Sequence, residues 1–250
     1  MSKASVPPVA ERRPHEVTHH GITLTDPYAW LQDPGYPSVT DENILSYLND
    51  ENAYFEDQMS AHQTQIERLF DEFKKRQKLD DESVPYCEHG YFHQWVFHKD
   101  AQYPVWRRWQ VSDPESKQTI LDEPALAADR DYFRLGGFDI SPNGRYIAWS
   151  SDTDGSERFN LTLKDLESGV LLDDEIACTI GSPIWAQDNK TLFYVLVNDN
   201  WRPFQVKAHV LGEPVDADRI IYTEADEAFF VGISITQSEK YLTIVAHGCG

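Results

Sequence analysis

The stretch FDISPNGRYIAWSSDTDGSERFNLTLKDLESG, residues 138–169, decides the fold, because its apolar runs are short and polar turns separate them. Pro142-Asn143-Gly144 is one such turn, since proline fixes one backbone angle and asparagine or glycine tolerates positive φ. Strands are predicted over Phe138–Ser141, Arg145–Ser150 and Arg158–Leu166, with a possible fourth over Val170–Leu172. A meander of four short antiparallel strands is the unit of a β-propeller blade.

The same unit recurs along the chain as a polar turn, a basic residue and an apolar strand. It is found in Asn143–Ile147, Asp188–Leu192 and Ser238–Leu242, with a weaker copy in Glu88–Phe92. The copies are spaced roughly 45 to 55 residues apart, which is the range of propeller repeats. A chance series of hairpins is the alternative, but the recurrence predicts a mainly β fold built from propeller blades.

The composition indicates a globular chain and limits the kinds of partner that it is expected to bind. The chain has 250 residues, 40% of them hydrophobic, so it has enough material for a large core. Its 42 acidic residues against 22 basic ones give a net charge of −20. Nucleic acids and anionic membranes attract basic surfaces, so neither is an expected partner. A cationic ligand fits this charge, although many proteins are acidic for solubility alone.

Nothing in the sequence predicts a membrane span or a leader. No apolar run reaches the roughly 18 to 20 residues that a span requires. The first 16 residues, MSKASVPPVAERRPHE, lack the apolar centre of a signal peptide. The three cysteines, an odd and widely separated set, favour a reduced, cytoplasmic protein.

Residues 1–79 are expected to form an N-terminal arm with two helices. Six prolines before residue 40 predict an extended, irregular segment, in which the apolar cluster Asp26–Leu31 must pack on another surface. Apolar spacing from Thr40 to Met59 predicts the first helix. A second helix is expected to start at Thr64, where Thr64–Glu67 has the capping-box pattern.

Residues 80–250 are expected to form an incomplete propeller of about three and a half blades, after a change of composition at Asp80–Ser83. The predicted blades are Pro85–Leu121, the stretch quoted first, Pro183 to about Ile221, and a fourth that begins near Phe229. Residues 122–135 are expected to form a linker with one helical turn near Leu126.

Several groups of polar residues resemble metal-binding sites, but their spacing does not match that of known sites. Cys87, His89 and His93 lack a fourth metal ligand at a usual interval. Asp152, Asp154 and Glu157 do not match a calcium loop, and a hairpin turn accounts for them. His15, His19 and His20 lie in the proline-rich arm and are expected to be solvated.

No nucleophile motif is present either. Gly232–Thr236 lacks the second glycine of a G-x-S-x-G elbow and is predicted to be a strand. Cys249 is a free thiol between two glycines. No catalytic, cofactor-binding or metal-binding residue is therefore assigned, and no cofactor is expected.

Taken in order, several segments resemble the prolyl oligopeptidase family of serine peptidases, and most closely its oligopeptidase B (protease II) branch. The resemblance covers nearly the whole chain. It is carried by Val6–Ala10, Pro14-His15, Asp26–Leu31, Tyr47-Leu48, Glu51–Tyr54, Asp80–Tyr86, Tyr103-Pro104, Ser141–Gly144, Lys164–Gly169, Trp185–Tyr194 and Ser238–Tyr241.

The resemblance implies a seven-bladed propeller joined to a C-terminal α/β-hydrolase domain that carries the Ser-Asp-His triad. It also implies cleavage of short basic peptides after Lys or Arg, with the propeller admitting only small substrates. Because the chain stops inside the fourth blade, we expect a non-catalytic N-terminal portion whose hydrolase partner in cis lies beyond Gly250. A standalone propeller-like binding module, or the product of a decayed gene, is the alternative.

Overall fold

The computed structural model describes residues 6–36 and 38–248. The chain forms two compact units, Met1–Lys78 and Leu79–Gly250. The elements of the first unit are β1 (His15–His19), β2 (Ile22–Asp26), a single 3-10 turn (Ala29–Leu31), α1 (Glu42–Ser60) and α2 (Gln63–Arg76).

The hairpin β1–β2 corrects the prediction of an irregular arm. Its two strands pair antiparallel from His15 opposite Asp26 to His19 opposite Ile22. The two turn residues, His20 and Gly21, have φ values of 52° and 77°. Positive φ at both central residues gives a turn whose twist matches the flanking strands. The prolines lie outside the hairpin and therefore do not prevent it.

Both predicted helices are present, and each begins within two residues of its predicted start. Asp41 caps α1, because its Oδ1 accepts hydrogen bonds from the backbone nitrogens of Asn43 and Ile44, at 2.8 and 3.2 Å. The capping box predicted at Thr64–Glu67 is wrong: α2 begins one residue earlier, and His62 at its N-cap makes no side-chain cap bond. Only two residues separate the helices, so Thr64 already lies in the first turn.

The second unit contains a five-stranded sheet, a seven-stranded sheet and a two-stranded sheet, and all pairings are antiparallel. The five-stranded sheet contains β3 (Asp81–Glu82), β4 (Tyr86–Glu88), β5 (Tyr91–Phe97), β6 (Val105–Gln110) and β7 (Asp113–Asp122), and is followed by α3 (Glu123–Ala127). The seven-stranded sheet contains β8 (Arg134–Ile140), β9 (Tyr146–Asp152), β10 (Phe159–Asp165), β11 (Leu171–Trp185), β12 (Thr191–Val197), β13 (Pro203–Val210) and β14 (Arg219–Thr223). The two-stranded sheet contains β15 (Phe229–Ile235) and β16 (Leu242–Gly248).

Strand β11 differs from the prediction. The sequence predicted one strand over Val170–Leu172 and the start of the third blade at Pro183. In the structure, β11 is one strand of 15 residues. Its first part pairs with β10 and its last part with β12, and Thr179 has a partner on both sides. Positive φ values at Cys178 (58°) and Gly181 (74°) turn the backbone where it passes from one blade to the next.

The sheets therefore make up one blade, two blades joined by β11, and the first two strands of a fourth. This is the mainly β, partial propeller of about three and a half blades that the sequence predicts. The single helical turn expected near Leu126 is also present, as α3. The composition break at Asp80–Ser83 contains β3, which pairs with the end of β5.

The core lies between the blades and is organised by β9. Ile147 and Trp149 pack with Ile120 and Leu121 of the first blade. Ala148, which points to the opposite face, packs with Trp185 and other residues of the second and third blades. Because successive side chains of a strand alternate between faces, one strand contributes to both interblade cores.

Candidate functional site

The four hairpins that join the first and second strands of each blade meet in one set of contacts. They are the hairpins β4–β5, β8–β9, β11–β12 and β15–β16. We call five of their turn residues the turn cluster: His89, Asn143, Gln187, Asn189 and Glu239. His89, Asn189 and Glu239 have positive φ, at 45°, 60° and 56°, so the turns are tight and hold these side chains close to the strand ends.

Hydrogen bonds link the turn cluster across blades. The backbone nitrogen of Asn143 donates to Oδ1 of Asn189 at 2.6 Å. Oε2 of Glu239 accepts from Nε2 of Gln187 at 3.0 Å and lies 2.8 Å from Nε2 of His89. Glu239 and His89 are separated by 150 residues in sequence, so this contact joins the first and fourth blades.

Electrostatics favour the ionised form of Glu239. Its hydrogen bond with the His89 side chain holds the pKa of the Glu239 carboxyl below its usual value, and burial opposes this effect. The side chains of His89 and Glu239 are 30% and 38% exposed, so solvent reaches the contact. The turn cluster is therefore a polar, partly open junction, and it presents no nucleophile.

A second polar group, around His209, resembles catalytic machinery in composition. The two ring nitrogens of His209 lie 2.7 Å from Oδ1 of Asp218 and 2.8 Å from Oδ1 of Asp174. Tyr194 donates its hydroxyl to the other oxygen of Asp218 at 2.7 Å. The His209 side chain is fully buried, so no substrate reaches it, and this network holds β11, β12 and β13 together.

The structure does not bring together the Cys87, His89 and His93 group considered from sequence. Cys87 pairs with Phe92 and Tyr86 with His93, so Cys87 and His93 point to opposite faces of the sheet. His93 is buried against the ring of Tyr86, and burial lowers its pKa to about 4. Across the described ranges, 6–36 and 38–248, no group of three or more possible metal ligands occurs.

The other sequence candidates have structural roles. The carboxylate of Asp152 accepts backbone hydrogen bonds from Asp154, Gly155 and Glu157, which confirms the interpretation as a hairpin turn. Gly232 lies within β15, as the strand prediction requires.

The remaining candidates concern the arm and the chain end. His15, His19 and His20 are exposed, as expected. Cys249 lies outside the described residues. Within those residues, no helix combines the length and apolar character needed to cross a bilayer.

Sequence reasoning identified the turns but not the contacts between them. The repeat of polar turn and basic residue located all four hairpins, and this repeat is the only signal that the turn cluster leaves in the sequence. The partners of Glu239 lie 52 and 150 residues away, so local pattern contains no information about them.

The fold defines a partial β-propeller with an N-terminal helical extension. Residues 7–249 match the model of one protein family, described as the prolyl oligopeptidase, N-terminal beta-propeller domain. The chain belongs to this family.

Relatives and solved structures agree with the assignment. The chain is 33% identical to dipeptidyl aminopeptidase BI of Pseudoxanthomonas mexicana, covering 98% of this chain and 36% of the relative. It is 30% identical to protease 2 of Moraxella lacunata, covering 95% of this chain and 35% of the relative. Oligopeptidase B from Leishmania major has the same fold, with a TM-score of 0.86 at 23% identity over 98% of this chain and 36% of that one. The chain thus spans about a third of the length of these proteins.

Proposed function

We propose that this chain is the N-terminal portion of a serine oligopeptidase that cleaves short peptides after Lys or Arg. In this proposal residues 1–79 are the arm, residues 80–250 are the first part of the propeller, and an α/β-hydrolase domain follows in cis. The chain itself does not catalyse the reaction. It restricts the size of the substrates that reach the hydrolase.

The observation that carries this proposal is the family match over residues 7–249, which spans both the arm and the blades. Two relatives with 30% identity or more are named as peptidases. The turn cluster supports the restricting role, because its hydrogen bonds link the hairpins of different blades to one another.

A hydrolase domain in cis accounts for the apolar surface of the arm. The cluster Asp26–Leu31 does not need the hydrolase domain to cover it. The Trp30 ring packs edge-on against Tyr47, with 6.3 Å between the ring centroids, and the Arg13 guanidinium lies over the same Trp30 ring. The helices are different: Phe55 of α1 and Phe70 of α2 are 62% and 65% exposed. Exposed apolar side chains on both helices are typical of an interaction surface, and the α/β-hydrolase domain is its proposed occupant.

Catalysis is proposed to lie in that domain. Acyl transfer by a serine peptidase needs a serine activated by histidine, an aspartate that orients the histidine, and an oxyanion hole. The histidine network of this chain is buried and has no serine, so it does not meet these requirements. The proposed compartment is the cytoplasm, which suits Cys87 and Cys178, both of which are free and exposed.

The coding sequence beyond Gly250 gives the first test. Further blades followed by a G-x-S-x-G motif between a predicted strand and helix would support the proposal. A stop codon at that point would overturn it and favour a standalone propeller-like module.

Activity gives the second test. A fluorogenic peptide with Arg at the scissile bond should be cleaved by the extended protein and not by the 250-residue chain. Turnover by the purified chain that a serine-directed inhibitor abolishes would contradict the assignment of catalysis to another domain. A matched peptide with citrulline in place of Arg controls for the positive charge.

Salt dependence tests what the charge of −20 contributes. An acidic surface raises the association rate of cationic substrates, and salt screens this effect. The catalytic efficiency of the extended protein toward the Arg peptide should therefore fall as ionic strength rises. An efficiency that does not change with salt would remove the steering role and leave the peptidase proposal standing.

A further inference from the structure

A cavity of about 460 Å³ is lined by residues of the first three blades, and we call it the interblade cavity. Its volume lies in the range of about 300 to 1,000 Å³ typical of small-ligand pockets. All of its wall belongs to the second unit. Its wall includes four aromatic side chains and two carboxylates, which are Tyr86, Trp95, Trp106, Phe138, Glu88 and Asp139.

The lining has the composition of a site for an organic cation. Four of the twelve lining residues are aromatic, two are carboxylates, and none is Lys, Arg or His. Aromatic faces attract cations through the ring quadrupole, and a carboxylate supplies a full negative charge. Aromatic and acidic side chains together therefore favour a positively charged guest over a neutral or anionic one.

Asp139 is held in a fixed orientation. Its Oδ2 accepts the backbone N–H of Trp185 at 2.7 Å, and its Oδ1 accepts the backbone N–H of Ile140 at 2.9 Å. The Trp185 indole also donates to the Asp139 carbonyl at 3.2 Å. Each carboxylate oxygen has two lone pairs, so each keeps one for a ligand.

The charge of Asp139 is not neutralised by its surroundings. Burial raises the pKa of its carboxyl to about 6, although the two backbone hydrogen bonds oppose this. Among the neighbouring charges, Glu88 raises this pKa further and His89 lowers it slightly. A cationic guest would bring the compensating charge that the site lacks.

Two aromatic side chains of the wall, Trp106 and Tyr86, are held in place by neighbouring groups. The indole N–H of Trp106 donates to Glu123 at 2.7 Å. Tyr86 is stacked on His93, with 5.2 Å between ring centroids. Trp106 also contacts Phe138 edge-on at 4.8 Å, so its ring is held from two sides.

We propose that the interblade cavity binds a guanidinium group, as carried by an arginine side chain of a peptide. A guanidinium is planar, so it stacks on aromatic rings and donates two parallel N–H bonds to one carboxylate. A lysine ammonium lacks the planar face, and it is more strongly hydrated. Glu88, which is exposed at the cavity, provides the second negative charge. The inference does not depend on the peptidase proposal, because every residue of the cavity is in this chain.

Calorimetric titration of acetyl-arginine amide into the 250-residue chain at pH 8 tests the proposal. Acetyl-citrulline amide is the neutral isostere, and acetyl-lysine amide and tetramethylammonium are competing cations. We expect arginine to bind, lysine to bind more weakly, and citrulline not to bind. Because binding needs ionised Asp139, arginine affinity should fall when the pH is lowered from 8 to 5. Equal binding of citrulline, or tighter binding of tetramethylammonium, would overturn the guanidinium assignment.

Variants locate the site. Asp139→Asn should weaken arginine binding by about tenfold or more, since hydrogen bonds to charged groups carry this much affinity. Glu88→Gln should weaken it less. Glu175→Gln is the matched control, because Glu175 is exposed on β11 outside the cavity and the substitution changes net charge equally.

Two further measurements keep the proposal testable if a variant fails to fold. If Asp139→Asn disturbs the fold, seen as a lost near-ultraviolet dichroism spectrum, then Glu88→Gln and the pH dependence of the unmodified chain still test the proposal. Unchanged affinity in both cavity variants would refute it. An equal loss in Glu175→Gln would also refute it, since that result would show attraction by net charge alone.

Discussion

Trp149 provides the sharpest test of the interblade core. It is 4% exposed and packs in the cluster formed by β9 with β7 of the first blade. Burying a side chain of this size removes about 150 to 250 Å² from water, and at about 25 cal/mol per Å² this corresponds to about 4 to 6 kcal/mol. Alanine keeps one methyl group, and the cavity partly collapses, so Trp149→Ala should cost about 3 to 5 kcal/mol of unfolding free energy.

Urea unfolding followed by far-ultraviolet dichroism measures this loss. Tyr241→Ala is the control, because it deletes an aromatic ring that is 68% exposed. Its effect should stay within about 0.5 kcal/mol, as for most surface substitutions. A loss below about 1 kcal/mol for Trp149→Ala would show that the ring is not enclosed between blades and that the register of β9 is wrong.

The remaining predictions concern other parts of the second unit. His209→Ala should destabilise the fold by about 3 to 5 kcal/mol in the same assay, because it leaves two buried carboxylates without their partner. A hydrogen bond from Arg145 lowers the pKa of Asp165 to about 2. This interaction stabilises the folded chain at pH values above the unfolded pKa of the aspartate, and the stabilisation is lost as the pH falls toward 2. Asp165→Asn should therefore make Tm depend less on pH in the acid range. Gly136→Ala should lower Tm, because a Cβ there would overlap Oγ of Ser150 and lie 2.6 Å from a ring carbon of Phe159, and an unchanged Tm would contradict that packing. The chain should also self-associate through the unpaired edge of β16, giving a mass above 28.8 kDa by light scattering after size exclusion, and a clean monomer would contradict this expectation.

The sequence predicted the elements whose signals are local. Alternation and turn residues located β9 and β10 to within two residues, and the repeat located four blades in order. The first helix followed from apolar spacing. These features depend on residues within a few positions of one another, which is the range over which pattern carries information.

Features that depend on distant residues were missed. The sequence predicted two strands where β11 is one, because Gly181 and Pro183 are typical of a turn. The backbone does turn there, but pairing with β10 before the turn and with β12 after it makes the segment one continuous strand. The hairpin β1–β2 was hidden by the surrounding prolines. The carboxylate of Asp139 was not singled out, since a lone aspartate between two apolar residues of a strand gives no sign that Trp185 will orient it.

Strand β11 has a consequence for how this architecture changes over evolution. In repeat architectures each unit contacts only its neighbours, so units are to a first approximation separable. Here the last strand of one blade and the first strand of the next form one continuous strand that turns at Cys178 and Gly181, so a break at this point would remove a strand edge from both blades. We therefore expect insertion or deletion of a blade to be tolerated less at this junction than at the connection through α3. Native-state hydrogen exchange should reflect the same constraint, with the amides of β9 and β12 opening in one cooperative step.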